Sequence, residues 1–197
     1  MSMSHKGLLL GIATRPVRHA PMEEAVAARI TVETGVNSDA RGQPGRRQAT
    51  VITRHAWEAA CLELGVADLP WTTRRANLFV DGIDLRNKIG YDLTIGDAVL
   101  TISGETRPCK VMEQAYPGLK AALTPEWRGG VICRVRRSGD VTVGCEVVLT
   151  RNVVRQLTSV SSHHARRFLK QGRALLGGWA RKLGWKRPRQ ASYSEHQ

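Results

Sequence analysis

The strongest constraint on the fold is a series of short apolar runs separated by turns that contain glycine. Each run is too short for a long core helix, and several alternate apolar with polar residues, as half-buried strands do. Turn sequences fall at 81–82, 95–97, 129–130 and 138–140. The strands are predicted at 7–13, 26–34, 49–53, 77–81, 97–103, 131–136, 141–144 and 145–150. Because these strands do not alternate regularly with helices, the pattern predicts a mainly β domain of barrel type.

One longer helix interrupts the strands, at 54–65. Thr53 is a suitable N-cap residue, and Gly65 is a suitable residue to end the helix. The apolar face recurs at helical spacing through Trp57, Cys61 and Leu64. Short helical segments are predicted after positions 109 and 117, whereas 35–47 has the composition of a long polar loop.

Charge divides the chain into two predicted parts, 1–150 and 151–197. The second part holds eleven lysine and arginine residues and one acid, Glu195, so it carries most of the formal net charge of +13. Its apolar residues recur every three or four positions, which predicts a basic amphipathic helical tail. We expect this tail to pack on the barrel, or to bind an acidic partner protein or an acidic lipid surface. Nucleic acid is the least favoured partner, because stacking motifs and a known DNA-binding pattern are missing from the sequence.

Several classes of function find no support in the sequence. The four cysteines form no CxxC pair, which argues against a zinc ribbon or a disulfide scaffold and favours a reducing, cytoplasmic location. There is no run of 18 apolar residues, and 8–12 is too short for a signal peptide core. The sequence also lacks the phosphate-binding loop, dinucleotide, serine hydrolase and HExxH motifs.

Cys109 is the cysteine placed best for chemistry. It follows Pro108 and lies between the cations Arg107 and Lys110, which favour the reactive thiolate. Cys61, Cys133 and Cys145 fall in apolar runs and are predicted to be core residues.

Polar residues at the strand boundaries form a candidate site with Cys109. Guanidinium groups bind phosphate and carboxylate oxygens through paired hydrogen bonds, and a thiolate is a soft metal ligand. Such a set suits a phosphorylated cofactor that carries a sulfur-bound metal. Simpler structural interpretations stay open: a turn cap at 75–77, an Asx-turn at 39, a solvated start of a strand at 47–48, and a surface position for Arg41. The candidate residues are Asp39, Arg47, Gln48, Arg75, Asn77, Thr106, Arg107 and Cys109.

The ordered segments resemble the MOSC domain family, the C-terminal domain type of molybdenum-cofactor sulfurases. The resemblance runs from about residue 7 to 150 and leaves out the tail. It is carried by Gly35…Asp39, Arg47-Gln48-Ala49-Thr50, Arg75-Ala76-Asn77-Leu78, Val80-Asp81-Gly82, Ile95-Gly96-Asp97, Thr106-Arg107-Pro108-Cys109 and Arg128-Gly129-Gly130-Val131. The chain departs from the family pattern at Arg41, Ala76 and Cys145.

The resemblance implies a MOSC-type β-barrel and a role around the molybdenum cofactor, a pyranopterin. In family members the matching cysteine either ligates molybdenum or is proposed to carry sulfur as a persulfide. Small members include reductases of N-hydroxylated bases and amidoximes. Family descriptions also suggest pyridoxal phosphate, for which Lys110 is the candidate here.

Three functional hypotheses follow. In the first, Cys109 ligates the metal of the cofactor, while Arg47, Arg75 and Arg107 meet its phosphate and oxygens. Asp39, Asn77 and Thr106 then fix the loops, and a redox partner supplies electrons. In the second hypothesis, Cys109 carries sulfur as a persulfide from a sulfur-donor protein, without a metal. In the third, the protein is a non-catalytic module whose tail docks on a partner.

Overall fold

The structure is a computed structural model that describes residues 5–151. Within them the chain forms eleven strands, three α-helices and two 3-10 helices, Trp71–Arg74 and Pro125–Trp127. The helices are α1 (Arg54–Leu64), α2 (Lys110–Ala115) and α3 (Leu119–Ala122). The strands are β1 (His5–Thr14), β2 (Glu23–Ala25), β3 (Ala27–Thr31), β4 (Gly35–Val36), β5 (Ala49–Thr53), β6 (Leu78–Asp81), β7 (Tyr91–Ile95), β8 (Ala98–Glu105), β9 (Val131–Arg137), β10 (Gly139–Thr142) and β11 (Glu146–Arg151).

Seven of these strands form a closed barrel in the order β1-β6-β5-β9-β8-β7-β11, and β11 pairs again with β1. Closure satisfies the backbone groups that a sheet edge exposes. β2 extends the sheet from the end of β1, and a separate three-stranded sheet has the order β10-β3-β4. The predicted fold class, a mainly β barrel with short helices, is confirmed.

The barrel interior is a continuous apolar core. Leu9, Leu93, Ile102 and Cys133 are fully buried, and they come from four different strands of the barrel. Along β6, β9 and β11 the buried residues alternate with more exposed ones, as the two-residue period of a strand predicts, whereas all five residues of β5 are buried. Packing in the core therefore holds the strands in place. The loops between the strands contribute little to this core, so their side chains are available for binding.

The helix α1 connects the parallel pair β5 and β6. Parallel neighbours need such a crossover, so the one longer helix that the sequence predicts forms a single β-α-β unit within the barrel. Thr53 takes the N-cap position but makes no side-chain capping bond, and Gly65 ends the helix with a φ of 69°. The buried face of α1 includes Trp57 and Cys61, and it packs with α2 and α3 in a second apolar cluster.

Some predicted boundaries differ from the structure. The strand predicted at 26–34 is shorter, Ala27–Thr31, because the chain turns at 32–34 so that β4 pairs back on β3. The strand predicted at 141–144 begins earlier, at Gly139, since this glycine continues the pairing with β3. β7 lies in a segment with no predicted strand, and it pairs with both β8 and β11.

The predicted domain 151–197, with its basic helix, lies almost wholly outside the described residues, and the division near residue 150 stays a prediction. Among residues 5–151, no helix combines the length and the apolar character that a bilayer crossing needs. The cytoplasmic location likewise stays a prediction.

Candidate functional site

A cavity of about 220 Å³ lies where the loops meet the starts of β5 and β6. The sequence-predicted residues Arg47, Gln48, Arg75, Asn77, Arg107 and Cys109 all line it, together with Arg15, Arg18, His19, Arg41, Thr50, Arg74, Val111 and Met112. Seven arginines and no carboxylate are among these lining residues of the described chain. We call this space the arginine cavity.

Four chain segments supply the arginine cavity. The loop after β1 contributes Arg15, and the loop before β5 contributes Arg47. The turn between the first 3-10 helix and β6 contributes Arg75, and the segment between β8 and α2 contributes Arg107 and Cys109. The barrel thus brings together residues that are far apart in the sequence.

Cys109 is exposed and occupies the N-cap position of α2. The chain segment that leads to Cys109 is held in place by Thr106, whose N–H donates to the Gly130 carbonyl at 2.9 Å. A side chain at Gly129 would collide with the Thr106 carbonyl oxygen, so a glycine is required there for this close approach. The Cys109 thiol therefore reaches solvent from a segment that is anchored to the barrel.

Asn77 is buried, and its side-chain amide connects three strands. Its Oδ1 accepts from the N–H and the hydroxyl of Thr50, at 3.0 and 2.9 Å, and its Nδ2 donates to the Ala13 carbonyl at 3.3 Å. These bonds join the ends of β1, β5 and β6 beside the cavity. Asn77 is thus a structural anchor of the cavity wall.

Asp39 lies behind the cavity and holds two arginine-bearing loops together. Its carboxylate accepts from the N–H of Arg15 at 3.0 Å and from the N–H of Arg41 at 2.9 Å. The second bond is the Asx-turn that the structural interpretation predicts. The same carboxylate pairs with the Arg15 guanidinium at 3.4 Å. Asp39 does not line the cavity but positions residues that do.

Arg15 is buried, with 7% of its surface exposed, and its Nε has no hydrogen-bond partner among the described residues. Burial lowers the pKa of Arg15, Asp39 raises it, and the nearby charges of Arg75 and Arg41 lower it further. A buried guanidinium with a spare donor indicates that this part of the cavity suits an anion.

Arg74 is the most unusual cation of the cavity. Only 4% of its surface is exposed, and its Nε donates to the Gly129 carbonyl at 2.9 Å, with no ion pair among the described residues. Burial lowers the pKa of Arg74 to about 10, Arg47 lowers it too, and Cys109 raises it. The guanidinium therefore remains charged at neutral pH while it lacks a counter-ion.

Arg47 lines the cavity and interacts electrostatically with Arg41 and Cys109. Burial of its guanidinium lowers the pKa of Arg47, the charge of Arg41 lowers it as well, and Cys109 raises it. Arg75 has a left-handed backbone, with a φ of 59°, and donates to the Ala20 carbonyl at 2.7 Å. Arg107 is exposed at the cavity.

Two of the predicted site residues, Gln48 and Thr106, have surroundings that do not indicate direct contact with a ligand. The Gln48 amide donates to the Val32 carbonyl at 2.8 Å and accepts from the Val135 N–H at 3.1 Å. Both ends of this side chain are therefore in use within the barrel wall. Thr106 is buried and does not line the cavity, and its hydroxyl has no partner among residues 5–151.

Apart from Arg41, seven lining residues are not among the candidate site residues predicted from the sequence: Arg15, Arg18, His19, Thr50, Arg74, Val111 and Met112. The first three follow a predicted strand, and this position next to the strand end could have indicated them. Arg41, predicted as a surface residue, is exposed and also lines the cavity. Lys110, the pyridoxal phosphate candidate, is exposed and is not among the lining residues.

The other cysteines and two of the three departures from the family pattern, Ala76 and Cys145, lie outside the cavity, whereas the third, Arg41, lines it. Cys61 and Cys133 are buried as predicted, whereas Cys145 is only partly buried against the barrel core. Ala76 is buried in the second apolar cluster. Among residues 5–151, no group of three or more histidine, cysteine, aspartate or glutamate side chains could hold a metal ion. A metal at Cys109 would therefore need most of its ligands from elsewhere.

Comparison with known proteins identifies the family. The MOSC domain model matches residues 37–148, more than half of the chain. The YuaD protein of Bacillus subtilis is similar in structure, with a TM-score of 0.66 and 20% identity over 77% of this chain and 100% of its own.

Two YiiM proteins have the same fold. The one from Geobacillus stearothermophilus has a TM-score of 0.54 and 16% identity, over 73% of this chain and 72% of its own. The one from Escherichia coli has a TM-score of 0.53 and 17% identity, over 78% and 71%. No curated protein matches the chain. The matched family model and the barrel together confirm the predicted resemblance, and the chain belongs to the MOSC domain family.

Proposed function

We propose that the arginine cavity binds the molybdenum cofactor, with the Cys109 thiolate as a ligand of the metal, and that the protein reduces N-hydroxylated compounds. The observation that carries this proposal is the exposed Cys109 thiol in a cavity lined by seven arginines. A soft thiolate suits molybdenum, and guanidinium groups suit the phosphate of a pyranopterin.

The cavity fits this cofactor in charge and ligand chemistry. Within residues 5–151, Arg74 is a buried cation without a counter-ion, and Arg15 has a buried Nε donor without a hydrogen-bond partner. An anion in the cavity would satisfy both. The volume of about 220 Å³ is below the roughly 300–1,000 Å³ typical of pockets that enclose a small molecule. The cavity therefore encloses part of such a group and leaves the rest at its open mouth.

The residues divide into those that bind and those that position. Arg47, Arg75 and Arg107 line the cavity and would bind phosphate and oxygen groups. Asp39 positions Arg15 and Arg41, and Asn77 fixes the strand ends beside them. When bound, the cofactor supplies the two-electron chemistry. Cleavage of the substrate's N–O bond consumes two electrons from a redox partner and two protons, and leaves an N–H product and water.

Metal analysis tests this proposal. The protein is produced in a host that makes the molybdenum cofactor, and molybdenum per chain is measured by mass spectrometry. Wild-type protein should carry the metal and reduce an amidoxime in the presence of a chemical reductant. Cys109→Ser should lose most of the metal, whereas Cys145→Ser, which changes a partly buried thiol outside the cavity, should keep it. A metal-free wild type, or full metal in Cys109→Ser, would contradict the proposal.

A second function, sulfur transfer through a Cys109 persulfide, is favoured by the same exposure of the thiol. It requires no metal. A gain of one sulfur atom on Cys109, found by peptide mass spectrometry after incubation of metal-free protein with a desulfurase and cysteine, would support it. An unmodified Cys109 would exclude it. Pyridoxal phosphate is the less favoured cofactor, because Lys110 does not line the cavity.

A further inference from the structure

The arginine cavity surrounds a reactive atom with charge of one sign. Arg47 and Arg74 both interact electrostatically with Cys109. Arg107 lines the same cavity, two residues before this cysteine. No carboxylate is found in the lining among residues 5–151. An anionic reagent therefore meets favourable charge at the Cys109 sulfur, and a cationic reagent meets repulsion.

Two buried arginines point to an anionic ligand independently of the thiol. Arg15 and Arg74 line the cavity with 7% and 4% of their surfaces exposed. The Arg15 Nε has no partner in the described part of the chain, and Arg74 donates to a carbonyl and a thioether rather than to a carboxylate. The Arg15 guanidinium is paired with Asp39, so Arg74, which interacts with Cys109, is the buried cavity cation that the described residues leave without a counter-ion.

We propose that Cys109 is a modification site for small disulfides that carry carboxylates, such as oxidised glutathione. The Cys109 thiol first gives its proton to solvent, and its thiolate attacks one sulfur of the disulfide. A bond forms between the Cys109 sulfur and that sulfur, the original S–S bond breaks, and the other half leaves as a thiolate. The incoming disulfide is itself the oxidant. The proposal needs no metal, so it does not rest on the proposed function.

The other thiols do not share this environment. Cys133 is sealed in the barrel, where burial raises the pKa of its thiol. Cys61 is buried in the second apolar cluster, and burial raises its pKa as well, with a further contribution from Glu58. Cys145 is partly buried and lies outside the cavity lining. Modification by anionic disulfides should therefore select Cys109.

The test compares disulfides of opposite charge on the metal-free full chain. Rates of mixed-disulfide formation at Cys109 are measured by peptide mass spectrometry with oxidised glutathione and with cystamine. Each rate is divided by the rate of the same reagent with 2-mercaptoethanol, a neutral thiol. The expected result is a preference for the anionic reagent of about tenfold or more at low salt, since steering of this kind changes rates by about 10–10³-fold. The preference should fall steeply as salt is added.

Matched variants separate the cavity from the overall charge of the chain. Arg47→Gln and Arg107→Gln each remove one exposed cavity cation and should reduce the preference several-fold. Arg136→Gln removes the same charge from an exposed residue of β9 that does not line the cavity, and it should leave the preference unchanged. Inorganic phosphate should slow the reaction of wild-type protein with glutathione disulfide more than chloride does at equal ionic strength. Equal normalised rates for both reagents, or equal losses in all three variants, would overturn the proposal.

Discussion

Cys133 and Cys109 belong to two regions that treat a thiol in opposite ways. In the barrel interior, Cys133 has no exposed surface, and burial raises the pKa of its thiol well above the usual range. In the arginine cavity, Cys109 is exposed and interacts with cations from two other segments. The barrel supplies rigidity, and the loops at its strand ends supply chemistry. We therefore expect the same residue type to be inert in the barrel interior and reactive in the arginine cavity.

The largest expected contrast between these regions is in thiol reactivity. Under native conditions, iodoacetamide should alkylate Cys109 at least about a hundredfold faster than Cys133, because a core thiol reacts only when the core opens. Peptide mass spectrometry over time measures both rates, and protein unfolded in urea serves as the control in which they converge. Comparable alkylation rates for Cys109 and Cys133 in native protein would contradict the proposed difference in reactivity between the two regions.

Asn77 connects the two regions, since it lines the cavity and also joins three strands. Asn77→Ala leaves the N–H and hydroxyl of Thr50 without their acceptor and should lower the free energy of unfolding by about 1–3 kcal/mol. Urea denaturation measures this loss. Gln114→Ala, at an exposed position of α2, is the control and should change stability by less than about 0.5 kcal/mol. Equal stabilities would show that Asn77 is no anchor.

The cavity cations should make the fold sensitive to anions. Inorganic phosphate at about ten times its dissociation constant should stabilise the protein by about 1.4 kcal/mol relative to chloride at equal ionic strength. Thermal unfolding detects this gain. It should shrink in Arg47→Gln and persist in Arg136→Gln, which lies outside the cavity lining. A phosphate effect that both variants lose equally would assign it to overall charge.

The smallest expected effect concerns Arg74, whose pKa burial lowers to about 10. An arginine in the unfolded chain stays protonated to a higher pH, so the unfolded state binds more protons above about pH 10. The cost of the buried charge is therefore present below that pH and is relieved as pH rises through it. Between about pH 9.5 and 10.5, wild-type protein should gain about 0.7 kcal/mol of stability relative to Arg74→Met. Urea denaturation of both proteins checks this difference, and parallel pH profiles would contradict it.

The sequence predicts most of the barrel, because local pattern reports strands and helices well. The strand at 49–53 and the helix after it follow from apolar spacing and a terminal Gly65, and the structure matches them closely. β7 alternates apolar with polar residues and is missed because Ile95 is assigned to the turn at 95–97, which leaves too short a run before it. Its position is decided by pairing with β8 and β11, which are distant in the sequence.

The candidate site is predictable only in part. Cys109 and the arginines at the strand ends can be singled out by residue type and position. Arg74 also stands just before a strand, but its burial cannot be predicted, because a charged residue is expected at the surface and its carbonyl partner lies 55 positions away. The same holds for Arg15, whose Asp39 partner is 24 positions away. These buried cations are placed by tertiary packing, which no local pattern contains.

The most direct test of the central claim is X-ray absorption at the molybdenum edge, on protein made in a host that produces the cofactor. The account predicts that wild-type protein contains molybdenum with a sulfur ligand that Cys109→Ser loses, whereas Cys145→Ser gives the wild-type spectrum. Identical spectra for wild-type protein and Cys109→Ser would contradict the assignment of Cys109 as a ligand of the metal.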